Sequence, residues 1–593
     1  MSANPPMQLT STESDFATFD RMRLVYRTWK PVTEPSGRVL IFLHRGHEHS
    51  GRVAALVSRI AGSGDLCFAW DARGHGRSPG VRGDAPDFMA LVRDLDAFVK
   101  HVVNTHGVDV EDIFIVANSV AAVVTATWLH DYAPRIRGVA TAAAAFSIKL
   151  YVPLAEPALR LGLKAKPDLK VTSYVRPSMI THSKREAEAY ASDPLVTRDI
   201  SARVLVDLAD TARRVVADAH AIDTPVLMLV AGKDVVVRTA PQRAFFDALS
   251  STRKQWLEIP ESKHAIFHEE ETQLADAACR HFIEVCFANA LPEPARYLDN
   301  DLEGPSATLH ATIAAGVKRP GLSNRLQRAL LRRIGHLSDG MKIGLTQGFD
   351  SGASLDYVYR NRASGRFGVG AMLDRGYLDA TGWRGVRVRK VHTQALLSEL
   401  IRTAPQGATL RILDVATGSG RYLLETLAGF KQASFDVELR DMDPANLAAA
   451  EKLATQLKLG DRVQIRYVQA DAFNPPEQDA DASLFDIAVV SGLYELFPEN
   501  APVFASLKSI ARAVRPGGAL VYTGQPWHPQ LRQIAETLDS HLGGAWVMRP
   551  RPQNELDALV QMAGFKKTAT EVGPQGIFTV SVARRIADPH GNG

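Results

Sequence analysis

Asp112-Ile113-Phe114-Ile115-Val116-Ala117-Asn118-Ser119 runs apolar up to a serine, and Val120-Ala121 follow it. An unbroken run rich in β-branched and aromatic residues suits a strand buried on both faces of a parallel sheet. Comparable runs recur at 38–44, 66–71, 136–144, 226–232 and 254–260, with amphipathic stretches between them. That alternation predicts βαβ units and a doubly wound α/β fold. Ser119 falls where the strand meets the next helix. A nucleophile at such a turn needs small residues two positions before and after it, because the turn presses them against neighbouring backbone. Ala117 and Ala121 stand where glycine is usual, small but without glycine's freedom at positive φ. On this segment alone, Ser119 is either a nucleophile or the last residue of a strand.

Two later segments supply partners. Val230-Ala231-Gly232-Lys233-Asp234 ends a strand on a carboxylate, and Pro260-Glu261-Ser262-Lys263-His264 ends the next on an imidazole. The chain order Ser119, Asp234, His264 is that of α/β-hydrolases among the triad lineages. His268, one turn further in an acidic run, is expected to be solvated. The loops His44-Arg45-Gly46-His47-Glu48-His49-Ser50-Gly51-Arg52 and Asp71-Ala72-Arg73-Gly74-His75-Gly76-Arg77-Ser78 follow the first two strands.

Together with Asn118-Ser119-Val120, these loops resemble the monoacylglycerol lipase and lysophospholipase branch of the α/β-hydrolase family, over about residues 20–285. The resemblance implies an oxyanion hole built from the Gly46 and Val120 N–H groups, and a helical cap at about 147–216. The apolar, proline-broken stretch 150–159 suits a lid over an acyl pocket, or an ordinary connector. Arg45 and His47 replace two glycines of the family loop. They either narrow the pocket and bring charge to a head group, or distort the hole and leave a weak hydrolase.

From Leu410 the alternation resumes, and Asp414-Val415-Ala416-Thr417-Gly418-Ser419-Gly420 closes the first strand with a glycine turn of the kind that lets backbone approach a ligand. A nicotinamide site is the rival reading. Asp441 ends the next strand, Asp471-Ala472 follow the third, 485–495 forms the fourth, and Pro516-Gly517-Gly518 leads into the fifth. This series resembles class I S-adenosylmethionine-dependent methyltransferases across about 390–585. A nicotinamide site explains neither Asp471 nor the Pro516 turn. By resemblance, Asp414, Ala416, Gly418 and Gly420 surround the methionine end of S-adenosylmethionine, Asp441 the ribose, and Asp471 and Ala472 the adenine. Tyr494, Glu495, Trp527 and His528 lie past strand ends where a methyl acceptor would sit, and Glu495 or His528 could serve as base. Tyr357, Tyr359 and the arginines 384, 387 and 389 either cover the donor site or form a solvated surface.

The 593 residues exceed what one hydrophobic core organises. The expected layout is a hydrolase domain at 1–290, a linker with an amphipathic helix at 291–340, and a Rossmann-like methyltransferase domain at 341–593. Proline and glycine clusters at 292–294, 304–305 and 320–321 suggest the linker. Leu326, Ala329, Leu330, Ile334 and Leu337 share a helical face beside Arg325, Arg328 and Arg332, which suits either an anionic membrane surface or a domain contact.

A net charge of +4 is small for this length and argues against a nucleic-acid partner. Three cysteines without metal-ligand spacing suggest a reducing compartment and no metal site. With no signal-like or membrane-spanning run evident, the chain is expected to be cytoplasmic, either free or peripheral to the inner face of the membrane. The expected function is twofold: serine-triad hydrolysis of an acyl-lipid type ester, and methyl transfer. The alternatives are a methyltransferase whose hydrolase half only binds a lipid or partner, and acyl transfer to an alcohol.

Overall fold

The computed structural model describes residues 10–405, 407–474 and 484–586. The chain divides between Leu291 and Pro292 into two compact units.

The first unit carries an eight-stranded sheet. In chain order its strands are β1 (Ser11–Ala17), β2 (Arg23–Trp29), β3 (Val39–Leu43), β4 (Leu66–Trp70), β5 (Ile113–Asn118) and β6 (Gly138–Ala142). After two short strands, β7 (Lys170–Thr172) and β8 (Asp199–Ser201), come β9 (Val226–Ala231) and β10 (Lys254–Ile259). The order across the sheet is β1-β2-β4-β3-β5-β6-β9-β10. Everything from β4 through β3 to β10 is parallel, and β3, β5, β6 and β9 are buried along their whole length. That two-sided burial is why these segments read as continuous apolar runs. The antiparallel β1–β2 hairpin was not legible in that way, because β1 is largely exposed apart from Phe16 and β2 alternates. Between β6 and β9 the chain inserts four helices and the β7–β8 ribbon.

The second unit carries β11 (Leu410–Val415), β12 (Phe435–Asp441), β13 (Val463–Gln469), β14 (Phe485–Val490), β15 (Val514–Gly524), β16 (Phe565–Val572) and β17 (Thr579–Arg585). Their order is β13-β12-β11-β14-β15-β17-β16, with the last two strands antiparallel. The winding reverses between β11 and β14, and ligands of such sheets bind at the carboxyl ends of the strands at that crevice.

The stretch expected to be a linker is folded. Helices Pro305–Val317 and Leu322–Ile334 pack in the second unit: Arg549 donates to Ser306 Oγ at 2.8 Å, and Glu536 Oε2 accepts from Gly321 N at 3.0 Å and Asn324 Nδ2 at 2.8 Å. Pro305 occupies the first helical position and Gly321 the cap before Leu322. Both punctuate helix starts, Pro305 where its missing N–H costs nothing and Gly321 with its N–H bonded to Glu536, so they do not mark a flexible tether.

Candidate active sites

Ser119 sits at φ 53, ψ −110, between β5 and the helix Val120–Tyr132. This is a strained conformation for a residue with a Cβ. Its N–H bonds Ala142 O at 2.9 Å, and the neighbouring Asn118 Nδ2 bonds Leu43 O at 3.1 Å, so the sheet itself holds the turn. His264 Nε2 lies 2.9 Å from Ser119 Oγ, and His264 Nδ1 lies 2.8 Å from Asp234 Oδ2. Asp234 Oδ1 also accepts the Val236 and Val237 N–H groups at 2.7 and 2.9 Å. Burial would raise the Asp234 carboxyl, but the His264 ring and those two N–H donors hold it below the usual carboxylate range. The three side chains expected from chain order are thus brought together, all buried.

The Gly46 loop is braced from both sides. His44 Nε2 accepts the Ala72 N–H at 3.1 Å, so its proton sits on Nδ1, which donates to Arg45 O at 2.7 Å. Asp71 accepts the Ser50 N–H at 2.6 Å and the Arg77 N–H at 2.8 Å. Gly76 is required there: at φ 50, a Cβ would lie 2.3 Å from Asp71 Oδ2. Gly46 packs on Val120, where a Cβ would meet Val120 Cγ2 at 3.1 Å. Among the described residues, neither the Gly46 nor the Val120 N–H has a hydrogen-bond partner.

Arg45 turns its guanidinium onto Glu48, and the half-buried His47 adopts φ 73, with burial pushing its ring below the usual imidazole value. His268, expected to be solvated, is half-buried. Its Nε2 lies 3.1 Å from Arg52 O, and burial lowers it to about 4. A cavity of about 410 Å³ opens at Ser119, walled by Ile148, Leu150, Leu159, Leu208 and Val237, with Arg45 and His47 at its edge.

In the second unit, Ala416, Gly418 and Gly420 adopt φ 54, 56 and 60 after β11. This left-handed series turns successive backbone groups toward one cradle, and a Cβ on Gly418 would meet only Gly352 Cα, at 3.7 Å. Asp441 Oδ2 accepts the Gly418 N–H at 2.8 Å, and Oδ1 accepts from Asp443 N and Asn446 Nδ2 at 2.9 and 3.0 Å. Asp471 and Ala472 line a small cleft with Leu413 and Val415. This open glycine floor, flanked by the Asp441 carboxylate and by a small cleft of mixed polar and apolar lining, fits an adenosyl donor.

Asp414 departs from its expected place facing the donor. It is fully buried, and its oxygens are taken by Tyr422 OH at 2.6 Å and Thr417 Oγ1 at 2.8 Å. Burial raises its carboxyl to about 7, against those two bonds. Asp414 therefore braces the turn from behind.

The expected acceptor residues also separate. Glu495 and His528 line a cavity with Arg389 and Gln525. Tyr494 does not: it is a core residue whose OH pairs with Ser506 Oγ at 3.0 Å. Trp527 packs against the aromatic cluster of Phe349, Trp383 and Phe578. Tyr357 likewise is structural, donating to Asp374 Oδ2 at 2.6 Å, whereas Tyr359 receives a bond from the buried Arg389 at 3.4 Å. Asp374 and Gln525 carried no sequence signal, since single polar residues outside a motif look alike until their neighbours are known.

Among the described residues no cluster could hold a metal ion, and no helix is long and apolar enough to cross a membrane.

Residues 279–585, just over half of the chain, match the family described as "Putative methyltransferase", and residues 34–271 match that described as "Serine aminopeptidase, S33". The chain is 42% identical to the Escherichia coli protein YnbC, over 97% of this chain and 98% of that one. It is 26% identical to a monoacylglycerol lipase of Mycolicibacterium smegmatis, over 45% of this chain and 94% of that protein. The crystal structure of the Paleococcus ferrophilus monoacylglycerol lipase is similar at 23% identity and a TM-score of 0.40, covering 45% of this chain and 100% of that one. With β5 leading into Ser119 in one unit and β11 into a glycine cradle in the other, the chain belongs to the family of YnbC, in which an α/β-hydrolase domain resembling monoglyceride lipases is fused to a domain of the methyltransferase family.

Proposed function

We propose that the first unit hydrolyses carboxylic esters of acyl-lipid type and that the second transfers a methyl group from S-adenosylmethionine. The observation that carries the first reading is the relay from Asp234 through His264 to Ser119, opening on an apolar cavity. As Ser119 Oγ adds to the ester carbonyl, its proton moves to His264 Nε2 and is then given to the departing alkoxide. Asp234 keeps the ring proton on Nδ1 and stabilises the imidazolium. The Gly46 and Val120 N–H groups face the developing oxyanion, a contribution worth about 3–4 kcal/mol per donor in such sites. Water then releases the acyl group along the same proton path, while the apolar wall accommodates the chain.

For the second unit, bound S-adenosylmethionine supplies an electrophilic sulfonium methyl group. The chain's own part is positional. The Ala416–Gly420 turn and Asp441 hold the methionine and ribose ends, Asp471 and Ala472 the adenine, and Arg389 with Tyr359 presents positive charge and a hydroxyl beside Gly492. Three buried, unbridged thiols fit a reducing, cytoplasmic setting.

A fluorophosphonate probe tests the hydrolase: labelling at Ser119 that disappears in Ser119→Ala supports it. Absence of labelling leaves a binding module in its place. Competing alcohols in the product assay separate hydrolysis from acyl transfer. Calorimetry with S-adenosylhomocysteine tests the transferase, and absence of heat overturns it.

A further inference from the structure

The second unit contains a cavity of about 500 Å³, within the range of small-molecule sites. Phe349, Tyr377, Trp383, Trp546 and Phe578 supply aromatic wall. The Trp383 and Trp546 rings stack at 6.1 Å, and Tyr377 meets Trp383 edge-on at 5.6 Å. Polar groups gather at Gly492, just after β14 and so at the crevice where the sheet reverses.

Two of those polar groups point to a ligand. Glu495 is 6% exposed; Oε1 accepts from Thr523 Oγ1 at 2.8 Å and from Arg389 at 3.3 Å, while Oε2 is buried without a hydrogen-bond partner among the described residues. A carboxylate oxygen left unpaired in such a place is expensive unless something donates to it. His528 Nδ1 accepts the Gln530 N–H at 3.0 Å, so the proton of this neutral ring sits on Nε2. The base role open to either residue from sequence therefore falls to Glu495, and His528 is a donor.

The outer edge of the cavity differs in character. Leu330, on helix Leu322–Ile334, is 57% exposed, and Met372, on helix Val369–Leu378, is 70% exposed; both line the cavity. Leu326 and Leu322 continue the exposed stripe back along the first helix, and Phe367 is exposed just before the second. Exposed Lys318, Arg319, Arg325 and Arg333 flank the stripe, whereas Arg328 and Arg332 are turned onto Asp539. Apolar side chains beside exposed cations, of which Arg325 also donates to Pro320 O at 2.9 Å, match an anionic bilayer surface.

We propose that this cavity receives an apolar methyl acceptor bearing one weakly acidic hydroxyl, phenolic or enolic, drawn from a lipid surface across the lip formed by Leu330 and Met372. The proposal rests on the transferase reading above. The hydroxyl donates to Glu495 Oε2 and accepts from His528 Nε2–H. Transfer exchanges the acceptor's O–H bond for an O–CH3 bond as the donor's sulfonium becomes a thioether, and the released proton goes to Glu495. A carboxylate is a weak base, so it assists a phenol or enol far better than an alkyl alcohol. A carboxylate acceptor would instead meet Glu495 as a like charge in a buried site.

Gly376 supplies the test. It lines the cavity, and a Cβ there meets nothing within 4 Å, so Gly376→Leu fills the space without a backbone clash. Nonylphenol is titrated into the full chain and read by quenching of tryptophan fluorescence. The expected result is saturable binding that weakens roughly tenfold or more in both Gly376→Leu and Glu495→Gln, while S-adenosylhomocysteine still binds Gly376→Leu with unchanged heat. No quenching, or equal affinity in the variants, overturns the proposal. Loss of nucleoside heat in the unmodified protein overturns the underlying transferase reading instead. Co-sedimentation with phosphatidylglycerol vesicles, weakened in Leu322→Asp/Leu326→Asp and absent with phosphatidylcholine alone, is expected; equal binding by the double variant overturns entry from a lipid surface.

Discussion

Arg45 and Glu48 are joined by two bonds, Nε to Oε2 at 3.0 Å and Nη2 to Oε1 at 2.5 Å, with both side chains buried. Arg52 adds a third bond to the same carboxylate, at 2.9 Å. Burial alone would raise the Glu48 carboxyl, yet these guanidinium groups hold it well below the ordinary range. The arginine that stands in this oxyanion-side loop is thus matched by a charge three residues on.

Glu48→Gln leaves two buried guanidinium groups without their shared anion. Unfolding in urea is expected to show a loss of about 3–5 kcal/mol for the first unit. Combining it with Arg45→Gly should recover part of that loss, and strict additivity would refute the coupling.

Asp234→Asn keeps the shape beside His264 but no longer fixes the ring with its proton on Nδ1. Ester kcat is expected to fall roughly ten-thousandfold with little change in Tm, measured with a chromogenic ester. A fall of less than about tenfold would remove Asp234 from the relay.

His130 lies buried between Asp131 and Asp218, 2.7 Å from each. Burial disfavours its charge, but the two carboxylate bonds prevail and raise it from 6.5 to about 9. A raised folded value means the contribution is complete below the unfolded value and is lost as pH climbs through the folded one. Stability of the first unit should therefore decline by about 3 kcal/mol between pH 6.5 and just above 9. Urea midpoints across that range check it, and His130→Gln should flatten the slope.

Ala416 and His47 both hold left-handed backbone, at φ 54 and 73. Glycine adopts that region freely, so Ala416→Gly and His47→Gly should each stabilise by about 1 kcal/mol, less the entropy that glycine adds to the unfolded chain. Differential scanning of the two variants measures this, and a lower Tm for both would refute it.

Asp374 accepts four bonds: from Ser338 Oγ and Tyr357 OH at 2.6 Å, Gly340 N at 2.9 Å and Ser364 N at 3.0 Å. Asp374→Ala strips partners from buried donors at about 1–3 kcal/mol each. Hydrogen exchange is expected to accelerate across residues 338–378 and not in β11–β14.

Much of the architecture was legible because both units are built on parallel strands. β3, β5, β6, β9 and β11 are buried on both faces, so solvent leaves no alternation in them and their apolar runs stand out. The half-exposed β1–β2 hairpin lacked that contrast. The proline and glycine clusters after residue 291 misled for a related reason: helix starts and tethers use the same residues, and only burial against Asn500, Glu536 and Asp539 separates them.

Chain order alone placed Ser119, Asp234 and His264 just past the ends of three strands, which the structure shows as β5, β9 and β10, since a doubly wound sheet delivers those ends to one edge. It also marked the Ala416–Gly420 turn, because close backbone approach admits few residue types. Packing decided what lay beyond those motifs. Asp414 and Tyr494 turn inward to bond Tyr422 and Ser506, while Glu495 keeps one oxygen bare beside an aromatic cavity. A residue letter carries its acidity and size but not its neighbours, and neighbours determine whether a carboxylate braces a fold or meets a ligand.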